Sequence, residues 1–155
     1  MGMDVLGKCP TCEVGQYFRN NVWSWRPLWD YCLEVSSDAR QVKSGHTNDG
    51  DGLDRRGARA LALTLATKIA DGHTRTYAIA YKATNDALPD ETCVLCEGTG
   101  SRKAPPDIGA GDAGYCNACA DTGKRRPSAT MYPFSEENVM EFAIFLEASG
   151  GFEIW

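Results

Sequence analysis

Two Cys-x-x-Cys pairs, Cys93-Val94-Leu95-Cys96 and Cys116-Asn117-Ala118-Cys119, stand nineteen residues apart. That spacing is the signature of a zinc site. Zn2+ takes four soft ligands tetrahedrally, and two residues between thiols let one tight turn aim both sulfurs at a single ion, so each pair supplies half a site. The alternative, four cysteines paired as disulfides or left as thiols, fits this spacing less well. Four thiolates leave no open coordination position, so Cys93, Cys96, Cys116 and Cys119 are expected to hold one structural Zn2+ rather than a catalytic one.

Glu97-Gly98-Thr99-Gly100 follows the first pair and Ala120-Asp121-Thr122-Gly123 the second. Glycines there let the chain fold back so that backbone N–H groups point at the sulfurs. The doubled C-x-x-C-x-G-x-G pattern resembles the cysteine-rich zinc module of the DnaJ chaperone family, in full from Cys93 to Gly100 and with Asp121 replacing a glycine in the second copy. That family's module carries further copies and a second zinc, and its His-Pro-Asp J-domain signature is absent here. The resemblance therefore implies the local fold and one zinc, not co-chaperone activity.

Between the half-sites, Ser101 to Tyr115 holds Pro105-Pro106 and Gly109-Ala110-Gly111-Asp112-Ala113, with no periodic apolar face, and reads as a linker. Residues 93–126 carry five basic residues, Arg102, Lys103, Lys124, Arg125 and Arg126, against four acidic ones, Glu97, Asp107, Asp112 and Asp121. A tetrathiolate zinc site is itself anionic, so the basic cluster most simply offsets it. A nucleic-acid contact by Lys124-Arg125-Arg126 is the secondary reading.

The whole chain, 155 residues with a formal charge of −5, suits one domain able to bury a conventional core and argues against a general nucleic-acid binder. Seven cysteines, an odd number, together with a site that needs reduced thiols and no stretch reading as a signal peptide, fit a reducing cytoplasm. No apolar run approaches the roughly eighteen residues of a membrane span, so no membrane association is expected.

The other candidate residues lie upstream. The segment Tyr17 to Cys32 holds three of the four tryptophans. Rings of Trp23 and Trp25 beside Arg19, Arg26, Asn20 and Asn21 can form a pocket in which rings stack, amides bond edges and guanidinium pairs with phosphate or carboxylate. The competing reading is that the tryptophans fill the core and Arg19 pairs with an acid.

This amino-terminal third, with Met1-Gly2-Met3-Asp4-Val5 leading into Tyr17-Phe18-Arg19-Asn20-Asn21 and Trp25-Arg26-Pro27-Leu28-Trp29, resembles that of small phage and prophage proteins. The likeness extends to Gly45-His46-Thr47-Asn48-Asp49-Gly50 and Ser149-Gly150-Gly151-Phe152, and implies no particular activity. The Gly45–Gly52 loop, with His46, Asn48 and Asp49, offers backbone N–H groups and a helix dipole to an anion, or lets its own Asp49, Asp51 and Asp54 cap that helix. As an EF-hand loop it fails, because Ala58 falls where a bidentate Glu is required. His46 beside Asp49 and Asp51 is the one place for acid–base or metal-dependent hydrolysis, although neither it nor His73 belongs to a catalytic motif. Cys9-Pro10-Thr11-Cys12, with Cys32, has no fourth ligand at a recognisable spacing and reads as a turn.

Four helices must position these groups: from near Arg26, from Asp54 to Ala70, from His73 to before Pro89, and from Ser135 to the Gly150-Gly151 stop. Phe152 to Trp155 alternates like a short strand. The expected fold is a mainly α, or α+β, small helical domain over residues 1–155, with a short strand at each terminus and the zinc hairpin, 91–126, inserted. The function expected first is a non-enzymatic, zinc-stabilised binding protein of phage or prophage type. It would engage a small anionic or nucleotide-like ligand, such as a host signal that it sequesters, or a host protein, in the host cytoplasm. Alternatives are a hydrolase using His46, Asp49 and Asp51, and nucleic-acid or protein binding through the hairpin.

Overall fold

A computed structural model describes residues 2–102 and 114–155. The elements run β1 (Gly2–Gly7), β2 (Tyr17–Asn21), α1 (Val22–Val35), β3 (Asp51–Asp54), α2 (Arg55–Ala70), α3 (His73–Asp86), β4 (Glu91–Thr92), β5 (Lys124–Arg125), α4 (Glu136–Ser149) and β6 (Gly151–Ile154). They divide into two units, Met1–Ala83 with Tyr132–Trp155, and Thr84–Met131.

The expectation of a mainly helical fold is corrected here. The first unit is built on a four-stranded antiparallel sheet of order β2-β1-β6-β3, and β4 and β5 form a second, two-stranded sheet. The described residues form four helices, but the architecture is mixed. The short strand expected at each terminus is present as β1 and β6, but their joining into one sheet with β2 and β3 was not expected, because Gly2-Met3-Asp4-Val5 and Asp51-Gly52-Leu53-Asp54 have few of the residues that favour strands. What makes them strands is pairing with distant segments, Val5 with Ile154 and Leu53 with Phe152.

Alternation along the strands buries one sheet face. Met3 and Val5 of β1, Phe18 and Asn20 of β2, and Phe152 and Ile154 of β6 face the core, whereas Asp4, Arg19 and Glu153 do not. Against that face the tryptophan-rich segment packs as α1. Trp25 and Trp29 stack at 5.5 Å between ring centroids, and Phe142 of α4 meets both edge-on. The helices start where side chains cap them: Asn21, Asp54 and Ser135 accept the N–H of Ser24, Gly57 and Asn138 at 2.9, 2.8 and 3.1 Å. The Asn21 cap puts the start of α1 at Val22, a turn earlier than expected, with Pro27 inside the helix. No helix among the described residues is long and apolar enough to cross a membrane.

Asp51 shows how loop and sheet are tied. Its carboxylate accepts the N–H of Ser44 (2.9 Å), Gly52 (2.8 Å) and Lys43 (2.6 Å), and these bonds, Ser44 foremost, hold its pKa below the usual carboxylate range. A depressed folded-state pKa stabilises above the unfolded value, about 4, and that contribution is lost as pH falls through the folded value. Asp51→Asn is therefore expected to weaken the protein at neutral pH and to flatten its acid-unfolding limb below about pH 4. Urea titrations of both forms across that range check the sign.

Candidate metal centre

Among the described residues of the second unit the buried cluster is the four cysteines Cys93, Cys96, Cys116 and Cys119. Their sulfurs all lie within 4.8 Å of one another, with Cys93 to Cys116 at 3.8 Å and Cys96 to Cys119 at 3.7 Å. A disulfide needs about 2.05 Å, whereas a tetrahedron of sulfurs about 2.3 Å from one ion has edges of about 3.8 Å. The donor set therefore fits a tetrahedral thiophilic ion.

Two near-identical turns build this arrangement, related by an offset of 23 residues. In the first, Glu97, Gly98 and Gly100 have positive φ; in the second, Ala120, Asp121 and Gly123 do. Thr99 Oγ1 donates to Cys96 O at 2.6 Å and Thr122 Oγ1 donates to Cys119 O at 2.6 Å, closing each turn on its second cysteine. The halves also exchange backbone bonds: Cys93 N–H donates to Gly123 O at 2.8 Å and Cys116 N–H to Gly100 O at 3.1 Å. The Gly100 N–H points at Cys96 Sγ, 3.3 Å away, the orientation expected of an amide that supports a thiolate.

The departure of the second half from the glycine pattern has a local cause. Asp121 tolerates the left-handed conformation, φ 62°, and its Oδ1 accepts the Cys116 N–H at 3.0 Å, a bond no glycine can make. The two outer glycines are less replaceable. A Cβ on Gly100 would lie 2.2 Å from Asp121 O, and one on Gly123 2.1 Å from Gly98 O. Gly123→Ala is accordingly expected to force the halves apart and to lower metal retention by at least about tenfold, the scale of a disturbed supporting shell. Competition with a chromogenic chelator measures it, and unchanged retention would contradict the packing described.

Electrostatics separate the thiols. Burial alone would push Cys116 up, but bonds from the Cys119 thiol and the Ala118 N–H outweigh it and hold Cys116 down at about 6. Cys119 is pushed up to about 12 by burial and by its contact with Cys116. A metal must therefore displace a proton from this pair, so acid opposes loading. β4 and β5 close the neck, pairing Glu91 with Arg125 and Thr92 with Lys124. Arg126 donates to Leu88 O and Asn85 O, both at 2.7 Å, and pairs with Asp90 at 3.3 Å, so one member of the basic run is committed to the neck. The linker reading of Pro105-Pro106 and Gly109–Ala113, and the charges Lys103, Asp107 and Asp112, fall outside the described residues.

No family model, curated protein or solved structure matches this chain.

The remaining predicted site residues lie in the first unit, and the structure distributes them. Trp25 is fully buried, donating its indole N–H to Gly45 O at 2.8 Å. Asn21 is the α1 cap, and Asn20 donates to Asn138 Oδ1 at 2.8 Å. Arg19 lies against Asp4 at 3.9 Å and is otherwise exposed. Asn48 reaches Gly2 O at 3.2 Å, and Asp49 accepts from Thr47. His46 Nε2 meets Asp30 Oδ1 at 3.0 Å, and Asp51 is held by three backbone donors; among the described residues His46, Asp49 and Asp51 form no group that could hold a metal ion.

Two of the nine do come together. Trp23 packs on Tyr132, ring centroids 4.9 Å apart, and Arg26 lies over the same ring at 5.7 Å. Cys9 and Cys12 are exposed in a turn whose Cys9 and Thr11 N–H groups donate to Ser149 O and Ala148 O at the end of α4. Cys32 is buried apart from them, and its thiol is pushed up by that burial. Sequence reading missed Tyr132 and Asp30, which carry no local signal, and Thr99 and Thr122, which do: each stands three residues after the second cysteine of its pair.

Proposed function

We propose that this chain is a non-enzymatic binding protein of phage or prophage type, stabilised by one structural Zn2+ and acting on a host protein in the host cytoplasm. Zinc is the favoured ion because four thiolates at tetrahedral spacing suit it and leave no open coordination position. The bound ion would cross-link the four sulfurs and offset part of their negative charge. The observation that carries the binding role is the surface of Trp23, Arg26 and Tyr132. Trp23 is 41 % exposed, yet its ring is held in a tilted contact with Tyr132. Tryptophan, tyrosine and arginine are the residue types that anchor protein interfaces, because a large rigid surface is buried at low entropic cost. A protein partner is favoured over a small ligand because Asn20, Asn21 and Trp25, which a pocket would need, are committed to folding.

The test is capture from host extract, followed by titration of the purified partner against wild type, Trp23→Ala and Arg26→Ala. Each variant is expected to weaken binding by about 2 kcal/mol, roughly thirtyfold, with folding intact. A nucleotide or metabolite that raises the melting temperature in an Arg19- and Arg26-dependent way would replace this reading with the small-ligand one. Binding of nucleic acid that falls steeply with salt and needs Lys124 and Arg125 would replace it with the third.

A further inference from the structure

The outer face formed by α2 and α4 is apolar in the middle and oppositely charged at its two ends. Asp54 pairs with Gly151 across the sheet, so α2 begins beside the point where α4 ends, and the two helices run antiparallel. Arg59, Leu63, Ala66 and Glu147 line one groove between them. At the centre of this face Leu63 is 69 %, Ile144 51 % and Met140 46 % exposed.

One end holds Arg55, Arg56 and Arg59, which have no ion-pair or side-chain hydrogen-bond partner among the described residues. Three cations in the first turns of a helix oppose its dipole, so they are placed at a cost to the isolated helix. The other end carries Glu136, Glu137 and Glu141 of α4, of which Glu136 is paired with Arg75. Glu147 beside Arg59 at the first end, and Lys68 in the last turn of α2 with Arg75 at the other, reduce these charges without reversing them. A face with a net cationic end, an apolar middle and a net anionic end is complementary to itself when turned by a half rotation. Each arginine end then meets a glutamate end, and the apolar centres meet each other.

We infer that α2 and α4 form the interface of a twofold homodimer, the occupant of this face being a second copy of the chain. Leu63, Met140 and Ile144 make its apolar centre, and the arginine and glutamate ends fix the antiparallel register.

Sedimentation velocity of the full chain at rising concentration tests this, with Leu63→Lys as the first variant. Leu63 points away from the core, so the variant should keep the wild-type circular dichroism and associate at least about tenfold more weakly. The second arm exchanges charges. Arg55→Glu/Arg56→Glu/Arg59→Glu is favourable to the helix dipole, so it should fold, yet it sets acid against acid at both ends of the dimer. Glu137→Lys/Glu141→Lys sets base against base. Each alone should shift toward monomer, and an equimolar mixture should recover a heterodimer with both ends matched. A wild-type chain that stays monomeric throughout the concentration series overturns the inference and leaves the face to a different partner. A dimer indifferent to Leu63→Lys, or charge variants whose mixture gains nothing, overturns it equally.

Discussion

Stripping the metal with a strong chelator is expected to abolish the order of residues 91–102 and 114–126. The neck sheet is two residues long on each side, and the buried centre of this unit is four sulfurs. A tetrathiolate zinc contributes on the order of 10 kcal/mol apparent at neutral pH, more than the strands and turns supply alone. Hydrogen exchange should show the Cys93 and Cys116 amides, protected through Gly123 O and Gly100 O, becoming fully exchangeable when the metal leaves. Elemental analysis should give about one zinc per chain, and Cys93→Ser should reproduce the chelated state. Protein purified without thiophilic metal and still protected at those amides would contradict the assignment. Because a proton must leave the Cys116–Cys119 pair on loading, affinity should also fall as the solution is acidified.

Phe142→Ala should be the most damaging single truncation in the first unit. Its ring lies 5.1 Å from Phe18, 5.5 Å from Trp25, 6.5 Å from Trp29, 6.0 Å from Phe145 and 6.1 Å from Phe152, so it joins α4 to the sheet and to α1. Emptying a fully buried phenylalanine costs about 3–5 kcal/mol through lost transfer energy and the cavity left behind. Against a total stability of about 5–15 kcal/mol that is a large share, readable as a lower denaturation midpoint and a weakened near-ultraviolet signal. Trp23→Ala, on the surface, should cost less than about 1 kcal/mol, which keeps it usable as a binding probe. Equal losses in the two variants would mean that Phe142 is not the centre of this core.

Helices α2 and α4 were legible because each carries its own punctuation. Asp54 before the Ala58-Leu61-Ala62-Leu65 stripe, and Ser135 before Glu136 and Glu137, announce their starts in the residues themselves. The four-cysteine cluster was legible for the same reason, since two half-sites of fixed spacing hold all four sulfurs. Of the sheet only the terminal strands were legible and their assembly was not, because the pairing joins partners far away: β1 pairs with β6, and β3 with β6, across most of the chain. The Trp23 to Arg26 segment fell between these cases. Its aromatic density was visible, but the assignment of Trp25 inward and Trp23 outward depends on Asn21 starting the helix, and the surface it forms needs Tyr132.

The reciprocal bonds between the two cysteine turns make the metal centre indivisible. Cys93 leans on Gly123 and Cys116 on Gly100, so neither turn is complete until the other has been synthesised. If the ion proposed for this centre is withheld, the described residues of both turns should lose their order together rather than one at a time.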